Sequence, residues 1–403
     1  MSPLFNQPSI KMSPANPDQH LMGISQVTAD AFAGGQHVDE ISQTYIGNCH
    51  YDWDTSRLIW DGDQLIHHWG VWGYSMRLEN IHLKVAGVGA VFTSESYRKQ
   101  GLMEMAARDS FKAMRVNGYD LSILRGRHYV KYGFARAWNY VTYRLKPEDI
   151  PDIVILKPYE LLDPTKMEEI NELYNQFHQG FSWTCVRPTY RMLKADDMNA
   201  YGWFDEENRL EGYVRAVPSD DKRTLQCLEA AGDTQQGLAL LGELFKQGEF
   251  ETLTFFTLPH QHPILRFLRR GACTVEDRYF HNTGWRVLIV NLRSTLQKIR
   301  PLLESRLRAS GLADWRGELF LDAGEHHAAL KIDAGSVQVL GETVGEHTNT
   351  IQGGVDIGRF LIGSDGPDEI IQQADMVCTG EAADLVNVLF PNLHPMMSHW
   401  DEY

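Results

Sequence analysis

The sequence has no run approaching the ~18 apolar residues of a membrane-crossing helix, so no membrane partner is expected. It has no CxxC pair, and its five cysteines (Cys49, Cys185, Cys227, Cys273 and Cys378) are odd in number and far apart. Zinc and dithiol redox motifs are therefore unsupported, and reduced cytoplasmic thiols are the expectation. A basic n-region followed by an apolar h-region is missing from MSPLFNQPSIKMSPANPDQH, so no secretory signal is read there. Positive charge is scarce, with 38 Lys and Arg against 53 Asp and Glu and a net charge of -15. That balance argues against nonspecific nucleic-acid binding; it serves solubility first and also suits a cationic substrate. His67-His68 and His326-His327 are adjacent pairs. Neighbours on a strand point to opposite faces, so neither pair can chelate and no metal is expected.

What is present describes a soluble globular chain, 43% hydrophobic and 23% charged. Its 403 residues exceed one ordinary core and predict two to three domains. Residues 1–20 are rich in Pro, Ser and Asn and are expected to form a flexible tail. QHLMGISQVTADAFAG and VDEISQTYIGNC then predict two short helices. RLIWD, QLIHHWGVWGYSMRL and IHLKVAGVGAVF predict strands, with Asp61-Gly62-Asp63 as a hairpin turn. RKQGLMEMAARDSFKAMRVNG predicts a helix with Leu102, Met105, Ala106, Phe111 and Met114 on one face. The strand YDLSIL, the short helix or turn HYVKYGF and the strand WNYVTYRL complete a mixed α/β unit over residues 1–150. Residues 151–291 repeat the strand–helix–strand–helix–strand order. From 292 to 403 a long helix, short strands and further helices predict an α+β layer. The chain closes on PMMSHWDEY, too apolar for a frayed tail, which predicts docking.

The chemistry concentrates in GVGAVFTSESYRKQGLMEMAARDSF, residues 87–111. A strand ends near Thr93, and a helix is expected to begin near Lys99. Its first N–H groups lack partners, and its macrodipole adds roughly +0.5 charge. Arg98 and Lys99 add full charges, and Gly101 permits close approach of a ligand to the backbone. Together they form a candidate pyrophosphate cradle. In the second unit Thr234 stands three residues before Gly237 with no cation following, so that copy keeps the scaffold without the charges.

Arg98-Lys99-Gln100-Gly101-Leu102-Met103 resembles the acetyl-CoA motif of GNAT N-acetyltransferases. Together with HYVKYGF and the aromatic last residue, the whole chain resembles the Eis (enhanced intracellular survival) subfamily. The resemblance implies tandem GNAT folds with mixed, mostly antiparallel sheets, the second lacking a CoA site. It also implies a C-terminal sterol-carrier-like α+β domain and a homohexamer. Acetyl-CoA is the implied co-substrate, held by Val91, Phe92, Thr93, Arg98, Lys99, Gln100, Gly101, Leu102 and Met103. Tyr129 matches the family's general acid, and the terminal carboxylate of Tyr403 its proposed base. Leu124-Arg125 stand where the family has Ser-Glu. The implied acceptor is an amine such as an aminoglycoside, polyamine or lysine-like group, with Glu402 and Trp400 as candidate contacts. Asp401 and Glu402 could ring the base and attract cations. The competing expectation is a non-catalytic carrier holding a lipid in its C-terminal domain. A pure carrier has no need of Arg98-x-x-Gly101 together with Tyr129.

Overall fold

The computed structural model describes residues 9–187, 198–280, 282–341 and 347–402. Near the N-terminus, Ile10–Pro14 forms β1, followed by helix α1 (Pro17–Phe32). The flexible tail expected over 1–20 is thus corrected for residues 10–20. β1 pairs antiparallel with β2 (Arg57–Asp61), and Ile10 and Met12 pack on the apolar cluster beneath. Asn16 caps α1 by accepting from the N–H of Asp18 and Gln19, with Pro17 in the first turn. That is the strongest kind of helix-start signal, and here it lies inside a segment whose composition reads as loop.

A long antiparallel hairpin, β3 (Gln64–Leu78) and β4 (Ile81–Thr93), forms the spine of the first sheet. Helix α2 (Val38–Glu40) runs directly into a wider helical turn over Ile41–Gly47. Helix α3 (Leu102–Val116) then buries Leu102, Ala106, Ala107, Ser110 and Met114. β5 (Leu121–Arg125) returns parallel to β4. A short 3-10 helix (Arg127–Tyr132) and the short strand β6 (Ala135–Arg136) follow.

The next strand departs from the sequence reading. β7 (Tyr140–Leu145), expected to close the first unit, pairs in the second sheet. That sheet also holds β8 (Glu160–Leu161), β9 (Ala200–Phe204), β10 (Leu210–Pro218), β11 (Thr224–Ala231), β12 (Thr252–Phe255) and β13 (Thr274–Arg278). Its order is β13-β7-β12-β11-β10-β9-β8. Reciprocally, β14 (Trp285–Ile289), expected to close the second unit, inserts between β5 and β6. The first sheet therefore runs β1-β2-β3-β4-β5-β14-β6. Alternating hydrophobicity marks a strand but says nothing about which sheet receives it. At the exchange, Trp138 and Trp285 stack with ring centroids 5.0 Å apart.

Helices α4 (Met167–Phe177), α5 (Thr234–Gln247) and α6 (Pro263–Leu268) flank the second sheet. Helix α7 (Leu292–Arg308) opens the third region. There β15 (Arg316–Asp322), β16 (His327–Asp333), β17 (Ser336–Leu340), β18 (Asn349–Gln352) and β19 (Val377–Cys378) form a sheet of order β17-β16-β15-β18-β19. One apolar core joins this region to the first sheet, with Val287 and Ile289 of β14 meeting Leu296, Ile357 and Phe360. The second sheet has its own core around Trp203, Leu240 and Phe255.

Candidate active site

The site begins where two parallel strands part. β4 and β5 are in register only at Val85–Leu121, Ala86–Ser122 and Gly87–Ile123. β4 then continues to Thr93 without its neighbour. Its register with β3 shifts between His68 and Gly70, where Ala90 takes φ 46°. Such a bulge bends the strand and re-aims its side chains. One edge of β4 is left with backbone groups that β5 does not pair, and these groups need a partner.

A cavity of about 490 Å³ opens beside this free end of β4. Val91, Phe92, Thr93, Arg98, Lys99, Gln100, Gly101, Leu102, Met103 and Tyr129 all line it. Sequence reasoning missed Ala31, Phe32, Tyr97, Glu104, His128, Lys131 and Tyr132, which complete the wall.

The helix start differs from the expected one. Helix α3 begins at Leu102, not near Lys99, with Gly101 as N-cap at φ 86° and no side-chain cap. Lys99 is also left-handed, at φ 62°. These two left-handed residues turn the loop sharply into the start of α3. The first-turn N–H groups of α3 are left for a ligand. Tyr97 ties the loop to β2 by donating to Asp61 at 2.7 Å. The Nε of Arg98 donates to the carbonyl of Thr93 at 3.2 Å, and Glu95 stands 3.9 Å from its Nη1. With a side chain 61% exposed, Arg98 keeps donors for an incoming anion. Arg98→Ala is therefore expected to raise the KM for acetyl-CoA roughly tenfold, the worth of one charge-assisted bond, with little change in the amine KM. Steady-state kinetics with each substrate varied in turn checks this, and an unchanged acetyl-CoA KM would remove Arg98 from the cradle.

Tyr129 sits on the turn that follows Gly126, whose φ is 113°. Its ring lies edge-on to Trp69, with centroids 5.8 Å apart, and near Phe134. Burial pushes its hydroxyl up to about 12, with neighbouring Tyr132 adding to the rise. It is therefore protonated at neutral pH. The adjacent histidines of β3 serve the same strand end. His67 Nδ1 lies 2.8 Å from Thr93 Oγ1. His68 bonds Tyr51 Oη and the carbonyl of Ala90, both at 2.8 Å, which fixes the bulge. Burial lowers His67 to about 3 and His68 to about 4, so both are neutral. Their opposite facing, used in the sequence reading to argue against chelation, is what lets them brace two points of β4. Among the described residues no group of three metal-binding side chains occurs.

A second cavity, of about 580 Å³, lies along the same segment of chain. Arg125 and Gly126 line this one, whereas His128 and Tyr129 line the first. Tyr140, Phe256 and Phe280 supply aromatic walls, and Glu402 is the one carboxylate among its lining residues. Glu402 is ion-paired with Arg125, whose guanidinium also covers the Trp285 ring at 4.5 Å. Arg125 thus holds the tail.

The rest of the tail is docked. Trp400 is buried among Met167, Ile170, Ala200 and Tyr213 of the second domain, with Arg215 over its ring at 4.5 Å. It lines neither cavity. Asp401 is not free to attract cations, which corrects that expectation. It is buried against Arg187 at 2.9 Å, and its carbonyl accepts from the Tyr74 hydroxyl at 2.9 Å. Tyr403 lies outside the described residues.

The second domain has the corresponding wedge, filled by its own side chains. β11 and β12 pair from Thr224–Thr252 to Cys227–Phe255. Beyond that point Thr257 Oγ1 donates to the carbonyl of Leu228 at 2.9 Å, and His262 Nε2 bonds the carbonyl of Ala230 at 3.0 Å. The start of α5 is occupied as well. The Asp233 carboxylate accepts from the N–H of Gln236, and the Gln236 side chain accepts from Leu156 and Lys157. A carboxylate at the cap opposes an incoming pyrophosphate.

Residues 18–140 match the family model described as an acetyltransferase (GNAT) domain. No curated protein matches the chain. Among solved structures, a GCN5-related N-acetyltransferase from Anabaena variabilis is similar at TM-score 0.74 and 16% identity, covering 98% of this chain and all of that one. A probable N-acyltransferase from Enterococcus faecalis has TM-score 0.73 at 15% identity, over 98% and 99% of the two chains. Eis1 from Mycobacterium abscessus has TM-score 0.66 at 14% identity, over 98% of this chain and 100% of its own. At these identities the likeness shows a shared fold along nearly the whole chain. The first domain is an acetyltransferase domain of the GNAT type, and the chain is an enzyme.

Proposed function

We propose that the protein transfers acetyl from acetyl-CoA directly to a primary amine of a cationic small molecule, such as an aminoglycoside, a polyamine or a lysine-like group. The observation that carries this reading is the open β4–β5 wedge, rimmed by Arg98, Lys99 and an uncapped helix start, with Tyr129 in the same cavity.

Acetyl-CoA supplies the activated acyl group and a thiolate leaving group. The unpaired edge of β4 supplies backbone donors and acceptors that hold the pantetheine arm. The Arg98–Met103 loop and the first turn of α3 hold the pyrophosphate. Tyr129 retains its proton at neutral pH and donates it at the departing sulfur. An acceptor amine with pKa ~10.4 is neutral in only ~1 molecule in 10³ at pH 7. A carboxylate that pairs with the ammonium and accepts its proton is therefore required. The terminal carboxylate of Tyr403 is the base in this reading, with Glu402, a lining residue of the second cavity, as the alternative. None of the five cysteines lines either cavity, which supports direct transfer over a covalent acyl-enzyme.

The same reading takes the first sheet and its helices, completed by β14, as the catalytic unit, the second sheet with β7 as its copy without a CoA site, and 292–403 as a sterol-carrier-like layer. It also takes the assembly as a cytoplasmic homohexamer, which sedimentation equilibrium would contradict by returning a monomer. The activity itself is tested by a screen of aminoglycosides, polyamines and lysine peptides, with release of free CoA thiol as the readout. Amine-dependent thiol release is the expected result. Thiol release at the same rate with and without every amine would set the proposal aside.

A further inference from the structure

Beside the Tyr129 turn lies a third cavity, of about 300 Å³, between the first domain and the C-terminal one. Its floor is apolar, with Phe111 of α3, Leu288 of β14, and Val355 from the turn before the helix at Ile357–Ile362. Its rim is cationic, with Arg108, Arg115 and Lys131. In a chain of net charge -15 such a cluster runs against the composition.

The cations are only partly engaged. Arg108 reaches Glu104 one turn earlier at 3.0 Å, on the open face of α3. Arg115 donates to the carbonyl of Val290 at 3.2 Å and approaches His326 Nε2 at 3.4 Å. Lys131 lies over the Tyr132 ring, 4.9 Å from its centroid. Among the described residues neither Arg115 nor Lys131 has a carboxylate partner, and Glu325 is the one acid in the lining. A cation rim above an apolar, partly enclosed hollow is matched by a molecule with one anionic end and one apolar end.

We propose that this cavity binds a free, single-chain amphipathic anion, its carboxylate or phosphate held by Arg108, Arg115 and Lys131 and its chain lying against Phe111, Leu288 and Val355. Walls from two domains enclose the hollow, which suits a free molecule rather than a membrane surface. Lys131 and Tyr132 also line the wedge cavity, so the ligand sits one layer of side chains from Tyr129.

The test is calorimetric titration of the full-length protein with octanoate, octyl phosphate and octyltrimethylammonium. The two anions are expected to bind once per chain and the cation not to bind. The tighter of the two anions identifies the headgroup. Arg108→Glu and Val355→Glu are each expected to weaken anion binding tenfold or more while leaving acetyl-CoA binding unchanged. Equal binding of the cationic amphiphile would overturn the proposal, as would unaltered anion affinity in both variants. So would one-for-one displacement of octanoate by CoA, because the cavity would then belong to the nucleotide.

Discussion

Tyr129→Phe is expected to lower kcat by ~10²–10⁴ while leaving acetyl-CoA affinity intact, the range for removal of a positioned general acid. The substitution keeps the ring that packs edge-on to Trp69 and Phe134, so the fold has no reason to change. What it removes is a proton that burial holds up to about 12. Loss of this proton leaves the thiolate to depart unprotonated. Pre-steady-state and steady-state rates with a good amine, alongside calorimetry with acetyl-CoA, separate the two effects. A variant with near-normal turnover would return Tyr129 to a packing role.

Arg187→Ala is expected to have the largest effect on stability. Arg187 is buried and forked onto two carboxylates. It donates to both oxygens of Glu229 at 2.8 and 2.6 Å, and to Asp401 at 2.9 and 3.0 Å. Tyr213 and Ser398 add hydroxyl donors to Glu229, and the Tyr174 ring lies 3.5 Å from the guanidinium carbon. Removing the cation strips both buried carboxylates of the guanidinium that bridges them, which costs about 3–5 kcal/mol. Because Asp401 belongs to the tail, the loss should release residues 397–402 and withdraw Glu402 from the cleft. A lower denaturation midpoint, faster amide exchange in the tail and reduced kcat are the expected readouts. Wild-type stability and exchange in the variant would show that other contacts hold the tail.

The same cluster sets an acid limit. Burial alone would raise the Glu229 carboxyl, but Arg187 and the hydroxyl donors outweigh it and hold it at about 2. A carboxylate lowered in the folded state contributes stability that is complete above its unfolded value near ~4.3. That contribution is lost as pH falls from there towards 2. The protection factors of the tail amides, corrected for intrinsic exchange, should therefore fall below about pH 4 and stay flat between pH 5 and 8.

The cradle was legible because its chemistry is local. Arg98, Lys99 and Gly101 lie within four residues, at a change from strand to helix periodicity. The docked tail was legible from its apolar composition alone. The strand exchange was not, since β7 and β14 have the alternation of any strand and their partners are chosen by packing. Nor was the wedge, because a sequence does not show where two parallel strands stop pairing. Arg187 gave no signal either. Its two carboxylates stand 42 and 214 residues away, and no pattern at such separations marks an ion pair. The β1 strand was hidden by Pro, Ser and Asn around a short Ile10-x-Met12 alternation.

A crystal structure of the protein with CoA tests the central claim most directly. The expected result is one CoA per chain in the β4–β5 wedge, with its pyrophosphate at the Arg98–Met103 loop and its sulfur within hydrogen-bonding reach of the Tyr129 hydroxyl. The β11–β12 wedge should be empty of ligand, with Thr257 and His262 still bonded to β11. CoA bound at the second wedge, or with its sulfur remote from Tyr129, would contradict the proposed site.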